Sequence, residues 1–342
     1  MCPPLLSDSL DIECSLNGKV TNCSKPSIPE TKAIKTCKAT HTLPYGKKNY
    51  SIELRCQSNG IWNNQLHECI PYCGRILSNS HLLMANGKKA LFGAAPWNVG
   101  IYRLNKDKIN YDLICGGSII APNLVISAAH CFWHKEILSN NISINNDSYK
   151  VAIGKYDINF TIVDNDFTQI MNVATIYLHE DYNGITDFYA NDIAVIVLSH
   201  RILFSSVVAP ICVDWNSTYN VLNGVDGKIV GWGRTEKGTT SPVLLETYLP
   251  YIDRKSCRDI FKNGNFYLFV TTDKFCAGFP LGREMGEGDS GAAITFLHYK
   301  FYYLTGVLNL KEKSSNNSIA VFTDIKYHVE WIRKLFNEHN FV

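Results

Sequence analysis

The sequence predicts an all-β chain in two units of unequal size: a small disulfide-rich β module, then a larger β domain that ends in a helix. Three observations predict it. The chain has 342 residues, more than one typical core takes up. It carries twelve cysteines, and seven of them fall within the first 73 residues. From Pro96-Trp97 onward, short β-rich stretches alternate with turn residues and no helical pattern intervenes, which reads as a sandwich or barrel.

The first unit spans residues 1–73. Cys2, Cys14, Cys23, Cys37, Cys56 and Cys69 precede Cys73 in a stretch rich in Ser, Thr, Lys, Pro and Asn. It buries too little apolar surface to stand without covalent staples. The run Cys56-Gln57-Ser58-Asn59-Gly60-Ile61-Trp62, closed by Cys69, reads as a strand, a turn and a core tryptophan beside a disulfide. The connectivity of the first six cysteines stays open. In the second unit, strands are predicted at Val99–Tyr102, Ser118–Ile120, Leu124–Ile126, Lys150–Ile153, Ile193–Leu198, Lys228–Val230, Tyr302–Leu308 and Ala320–Phe322. Ile325, Val329, Ile332, Leu335 and Phe336 share one face of a helical wheel, which predicts the final helix.

Composition narrows the function. Lys+Arg 33 against Asp+Glu 31 leaves a net charge of +2, so no electrostatic footprint points to nucleic acid or to a membrane surface. No apolar run approaches the roughly 20 residues of a membrane span. Cysteines at this density fit an oxidising, extracellular compartment. Sequons for N-glycosylation at Asn22, Asn49, Asn141, Asn146, Asn159, Asn216 and Asn316 agree with secretion. The absence of a CxxC pair argues against structural zinc. Asp157, Asp164 and Asp166 allow a calcium loop, though not with EF-hand spacing, so the expectation is no cofactor and no metal. Met1-Cys2-Pro3-Pro4 has neither a basic n-region nor an apolar h-region, which suggests that upstream sequence is missing.

Three strings carry the chemistry: Ser127-Ala128-Ala129-His130-Cys131, Asn191-Asp192-Ile193-Ala194-Val195 and Gly288-Asp289-Ser290-Gly291. A lone His beside a Cys is usually structural, and a GDSG is most often a turn. In the order His, Asp, Ser they resemble the chymotrypsin-like serine proteases. Gly231-Trp232-Gly233, Phe275-Cys276-Ala277-Gly278 and Pro210-Ile211-Cys212 match further features of that family, over residues 73–342. The resemblance implies two β-barrels. It also implies bridges Cys115–Cys131, Cys257–Cys276 and Cys73–Cys212. His130 would be the general base, Asp192 its orienting carboxylate and Ser290 the nucleophile. The backbone N–H groups of Gly288 and Ser290 would form the oxyanion hole. The first unit resembles the end of a complement-control (sushi) module, which uses four cysteines where this unit has six before Cys73.

The same resemblance implies a zymogen. Counting back from Pro96 by the family's spacing gives a mature end at Met84, cut after Leu83, whose new amino group would pair with Asp289. The domains are then 1–73, a linker over 74–83 and a protease domain over 84–342. Arg75-Ile76 is a rival cut, closer to the module. The Cys73–Cys212 bridge would keep the first unit tethered. At the substrate pocket the chain departs from the family. Gly286 stands where a cysteine is usual, and Asn309-Leu310-Lys311 replaces Ser-Trp-Gly. Asn309 could still reach Asp192, and Lys311 could narrow the mouth. The pocket floor falls at Glu284, beside Met285, and Arg283 or Lys311 could neutralise it, so P1 preference stays open.

The layout resembles the modular serine proteases of insects. That implies a secreted endopeptidase in a haemolymph-like fluid, acting early in a Toll or melanisation cascade of innate immunity. Upstream partners would recognise microbial patterns, and the substrate would be a downstream protease zymogen. The alternatives are a complement-type cascade protease and a non-catalytic homologue serving as a scaffold.

Overall fold

The computed structural model describes residues 1–7, 9–37, 41–42, 52–66, 69–76, 88–107, 109–133, 141–142, 148–233, 240–280, 290–311 and 318–339. The chain divides into two units, Met1–Tyr72 and Cys73–Val342.

In the first unit, β1 (Leu10–Leu16), β2 (Lys19–Thr21), β3 (Lys32–Cys37) and β5 (Ile52–Arg55) form an antiparallel sheet in the order β2-β1-β3-β5. The short strands β4 (His41–Thr42) and β6 (Ile70–Pro71) pair with each other. The core is small: Cys2, Leu5, Cys14, Ala33, Leu54, Cys56 and Trp62. The Trp62 indole N–H donates to the Pro3 carbonyl at 2.9 Å, so the ring is packing rather than contact surface. Three disulfides supply what this core lacks: Cys2–Cys56, Cys14–Cys23 and Cys37–Cys69. The two long bridges interleave. Chain entropy alone assigns about 4 kcal/mol to closing loops of that size.

The second unit holds two closed barrels. The first is built from β8 (Asn98–Leu104), β9 (Tyr111–Ala121), β10 (Leu124–Ser127), β12 (Tyr149–Ile153), β13 (Gln169–Leu178) and β14 (Ala194–Leu198), and the β13–β14 pairing closes the ring. The short strand β11 (Asn141–Ile142) adds to the edge of β13. In the second barrel, β15 (Asp226–Gly231), β16 (Leu245–Ile252), β17 (Lys274–Ala277), β18 (Ala293–His298), β19 (Phe301–Lys311) and β20 (Ala320–Asp324) close through β15–β16, and β7 (Lys88–Lys89) adds to β16. Closure removes the free sheet edges and turns alternate residues inward. Val99, Ile101, Ile119, Val125, Val151 and Val195 fill one interior, and Ile229, Leu249, Phe275, Phe296 and Phe322 the other.

Every strand predicted in the second unit overlaps an observed one, whereas the strand read at Cys56 is only an isolated bridge to Trp62 after β5. β13, β16, β17 and β18 were not anticipated, nor was helix α1 (Arg254–Ile260), which Asp253 caps by accepting from the Ser256 N–H at 3.0 Å. The final helix α2 (Val329–His339) buries Val329, Ile332 and Leu335, while Ile325 sits in the 3-10 turn before it. Cys73 and Gly74, assigned from sequence to the module's end and the linker, belong to the second unit. Cys73 bonds Cys212, the Gly74 N–H donates to Pro210, and the Gly74 carbonyl accepts from Tyr302. Among the described residues no helix is long and apolar enough to cross a membrane.

Candidate active site

His130 sits in a single 3-10 turn, Ala129–Cys131, at the end of β10. The Cys115–Cys131 bridge ties that turn to β9, and the Ser127 hydroxyl donates to the Gly116 carbonyl at 2.8 Å. The turn therefore cannot move apart from the barrel wall. Asp192 comes from the connection between β13 and β14, just ahead of Ala194. That connection is unusual, because Phe188, Tyr189 and Asn191 all have left-handed φ, of 48°, 58° and 56°. Each such residue costs on the order of 1 kcal/mol, so neighbours must hold the segment in place.

Both carboxylate oxygens of Asp192 face His130. Oδ1 accepts from the His130 backbone N–H at 2.8 Å, and Oδ2 accepts from Nδ1 at 2.7 Å. The carboxylate is fully buried, whereas 24% of the imidazole is exposed. One face of the ring pair is thus dry and the other open to a substrate. Burial by itself disfavours the imidazolium, but the Asp192 charge and hydrogen bond outweigh it, and the His130 pKa rises above 6.5; the Lys274 cation opposes this in part.

Ser290 lies in the turn before β18 and is pinned through its backbone. Its carbonyl accepts from the Gly116 N–H at 2.8 Å, and the next residue, Gly291, donates to the Leu308 carbonyl at 2.9 Å. Gly291 has φ +80°, and a Cβ there would meet the Gly116 oxygen at 2.6 Å, so only glycine fits. Gly116 thus holds both the Ser127 and Ser290 segments, bringing the His and Ser turns onto one edge of β9. The bridges Cys257–Cys276 and Cys73–Cys212 complete the unit.

Other sequence expectations fare differently. Asn309 does not reach Asp192. Its amide Nδ2 donates to the Tyr189 carbonyl at 3.4 Å, and its Oδ1 is buried without a partner. The reason is local: the Asp192 carboxylate is turned wholly to His130, while the left-handed turn offers Asn309 a carbonyl. Leu310 packs against the cluster of Cys257, Phe261 and Val270, and Lys311 is half-buried at the end of β19. Leu83, Met84, Glu284, Met285, Gly288 and Asp289 lie outside the described residues, as do Arg283, Gly286 and the sequons Asn49, Asn146 and Asn316. Asn141 lies on β11, and Asn22, Asn159 and Asn216 are exposed.

The acidic loop holds a cation of the chain's own. The Lys155 ammonium lies 2.8 Å from Asp164 Oδ2 and donates to the carbonyls of Asn159 and Ile162 at 2.9 and 2.5 Å. Of Asp157, Asp164 and Asp166, the ammonium pairs with Asp164, whose Oδ1 accepts from the Asp157 N–H at 2.7 Å.

Three residues near Asp192 escaped sequence reading: Asp273, Lys274 and Thr323. Lys274 and His328 are buried, with Asp273 between them. The only signal was a charged pair, Asp273-Lys274, heading the apolar strand β17. Charges in sequence usually read as surface.

Comparison with known proteins fits this geometry. The sequence model of the family described as Trypsin matches residues 84–332. The chain belongs to the trypsin family. Clotting factor C of Tachypleus tridentatus is 29% identical over 91% of this chain and 31% of its own length. The Modular serine protease of Drosophila melanogaster is 27% identical over 95% of this chain and 51% of its own length. Mannan-binding lectin serine protease 1 of Rattus norvegicus is 25% identical over 97% and 51%. The chain thus spans about a third to a half of the length of these three relatives. Within the trypsin family it is related to clotting and complement-type cascade proteases.

Proposed function

We propose that this chain is the sushi-like module and protease domain of a secreted serine endopeptidase zymogen. It opens an extracellular cascade of the Toll or melanisation kind by cutting a downstream protease zymogen, after upstream partners recognise microbial patterns. The observation that carries the reading is the fully buried Asp192 carboxylate held 2.7 Å from His130 Nδ1, on the barrel edge that also fixes Ser290.

The chemistry follows from that arrangement. Asp192 fixes the Nδ1–H tautomer, which leaves Nε2 of His130 as the base. Nε2 takes the Ser290 proton as Oγ attacks the scissile carbonyl carbon. The oxyanion of the tetrahedral intermediate faces the N–H groups of Gly288 and Ser290, and one such donor is worth roughly 3 kcal/mol. His130 then protonates the leaving amine. A water, deprotonated by the same ring, releases the acid and restores Ser290.

Activation follows cleavage of Leu83-Met84, with Asp289 receiving the new amino group. The rival bond is less suited. The Arg75 guanidinium lies 5.0 Å over the Phe301 ring and Ile76 packs on the core, whereas a protease needs an extended, loose segment. Setting aside the Cys14–Cys23 bridge leaves the four cysteines of a sushi module, which supports that reading of the first unit. The exposed sequons Asn22, Asn159 and Asn216 support secretion as a glycoprotein.

Covalent labelling by a fluorophosphonate tests the reading. The activated chain labels at Ser290, and N-terminal sequencing of the product reads Met84. A folded, cleaved chain that leaves Ser290 unlabelled overturns the enzyme in favour of the scaffold. A new end at Ile76 overturns the activation site.

A further inference from the structure

Bonded to the backbone around Asp192 is a pair of charges that the proteolytic steps do not use. Lys274 opens β17 and Asp273 immediately precedes it. The Lys274 side chain is fully buried and Asp273 nearly so, and they pair at 2.7 Å. A buried ion pair usually contributes no more to stability than an apolar pair of the same volume. What sets this pair apart is where its remaining hydrogen bonds go. Asp273 Oδ2 accepts from the Asn191 backbone N–H at 2.9 Å, and Oδ1 accepts from the Thr271 hydroxyl at 2.5 Å. The Lys274 ammonium donates to Thr323 Oγ1 at 3.0 Å, and the Thr323 hydroxyl donates to the Asp192 carbonyl at 2.9 Å. An ammonium can only donate, so the hydroxyl must turn its own hydrogen toward Asp192. The Ala190–Asn191 peptide is therefore gripped by Asp273 directly, and the Asp192–Ile193 peptide by Lys274 through Thr323.

We propose that Asp273 and Lys274 are positioning residues that hold Asp192 against His130, acting through Asn191 and Thr323. The inference rests on the endopeptidase reading for its consequence, though not for its geometry. The segment needs such a grip. Phe188, Tyr189 and Asn191 are left-handed, and no disulfide ends between β13 and β14. Released from the pair, the turn relaxes and the Asp192 carboxylate loses its two-point contact with the His130 backbone and ring. Around this grip stand Asp192, His130, Tyr182 and, beyond Asp273, His328. The His328 Nε2 lies 3.4 Å from Asp273, and its ring lies 5.1 Å from that of His179.

The test uses the full chain. The variant Asp273→Leu/Lys274→Met replaces the pair by apolar residues of similar size, and Asp273→Asn/Lys274→Met returns an acceptor for the Asn191 N–H. Thr323→Val removes one hydroxyl and no charge. Two readouts are taken: the fluorophosphonate reaction at Ser290, split into binding and bond-forming constants, and the His130 ring titration by NMR, assigned with His130→Ala. We expect the bond-forming constant to fall at least tenfold in Leu/Met and in Val while probe binding stays within twofold, with most of the loss recovered in Asn/Met. The ring titration separates positioning from bare charge. The Lys274 cation lowers the His130 midpoint, so its removal as a charge alone raises that midpoint. Loosening of Asp192 lowers it. Because Leu/Met also removes the Asp273 anion, whose loss as a charge lowers the midpoint, the charge-neutral Thr323→Val decides: a midpoint that falls there carries the proposal, and one that rises or stays overturns it, as does an unchanged reaction rate. Thr323→Val decides on these criteria even if Leu/Met does not fold. If the wild-type chain fails to react, the endopeptidase reading falls, and the ring titration still decides the positioning.

Discussion

Replacing Lys155 by Met tests whether its ammonium stands in for a metal in the acidic loop. The Lys155 side chain is fully buried, and Asp164 is 8% exposed at 2.8 Å. Lys155→Met leaves that carboxylate without its counter-charge and the carbonyls of Asn159 and Ile162 without their donor. Breaking one side of a buried pair costs about 3–5 kcal/mol, and the carbonyl losses are part of that figure rather than additions to it. In a domain of this size each kcal/mol moves the melting temperature by roughly 2–4 °C, so the fall should be about 6–20 °C. Lys155→Met/Asp164→Leu, which removes both charges, should recover most of it. Differential scanning fluorimetry of the two variants and the wild type reads these shifts, in calcium and in chelator. Wild-type melting should be the same in both, because an ammonium already holds Asp164 and the two carbonyls. A Lys155→Met shift below about 2 °C refutes the argument, since it would mean that the pair was not truly desolvated. A wild type that melts higher in calcium refutes the substitution of cation by lysine.

Four further outcomes follow from the site and its supports. Ser290 labelling needs a neutral His130, so its rate should fall as pH drops through a midpoint above 6.5, read from a pH–rate profile. Because the folded pKa is raised, the His130–Asp192 contact adds stability that is fully present below pH 6.5 and lost as pH rises through the folded value; urea titrations across that window check the sign. Asp192→Asn should lower the labelling rate by ~10⁴ with the fold intact, as judged by circular dichroism, since the asparagine no longer enforces the Nδ1–H tautomer. Gly291→Ala should unseat the Ser290 turn, because its Cβ meets the Gly116 oxygen at 2.6 Å; labelling should be lost with melting lowered by several degrees.

The site was legible in sequence where residue type and order carry the information. His130, Asp192 and Ser290 stand out because their motifs are local and the fold brings them together across a fixed order. The strands that could be read, such as Leu124–Ser127 and Ala194–Leu198, are wholly buried and apolar. The missed strands break that pattern. β16 is half-buried along most of its length and contains Pro250, and β17 begins with a lysine that is buried. α1 is seven residues long and mostly polar, too short for periodicity to show. Asn309 was misjudged because sequence gives its position on the strand but not the Tyr189 carbonyl that a left-handed turn places beside it. Lys155 and Lys274 were invisible for one reason: a charge is assigned to the surface until its partner, far away or masked by turn geometry, is seen.

The disulfide map has one more consequence, for where a protease could detach the module. Any nick between Cys2 and Cys69 falls inside the loop closed by Cys2–Cys56 or the one closed by Cys37–Cys69, so the pieces stay joined. Any nick between Cys73 and Cys212, including one at Leu83-Met84, falls inside the third long loop. Between Cys2 and Cys212, only the bonds of the short stretch from Cys69 to Cys73 escape all of these loops. Shedding of the module from the protease domain, whether as turnover or as an off-switch, therefore has a single address at Ile70-Pro71-Tyr72, and elsewhere along that span it requires reduction as well as proteolysis.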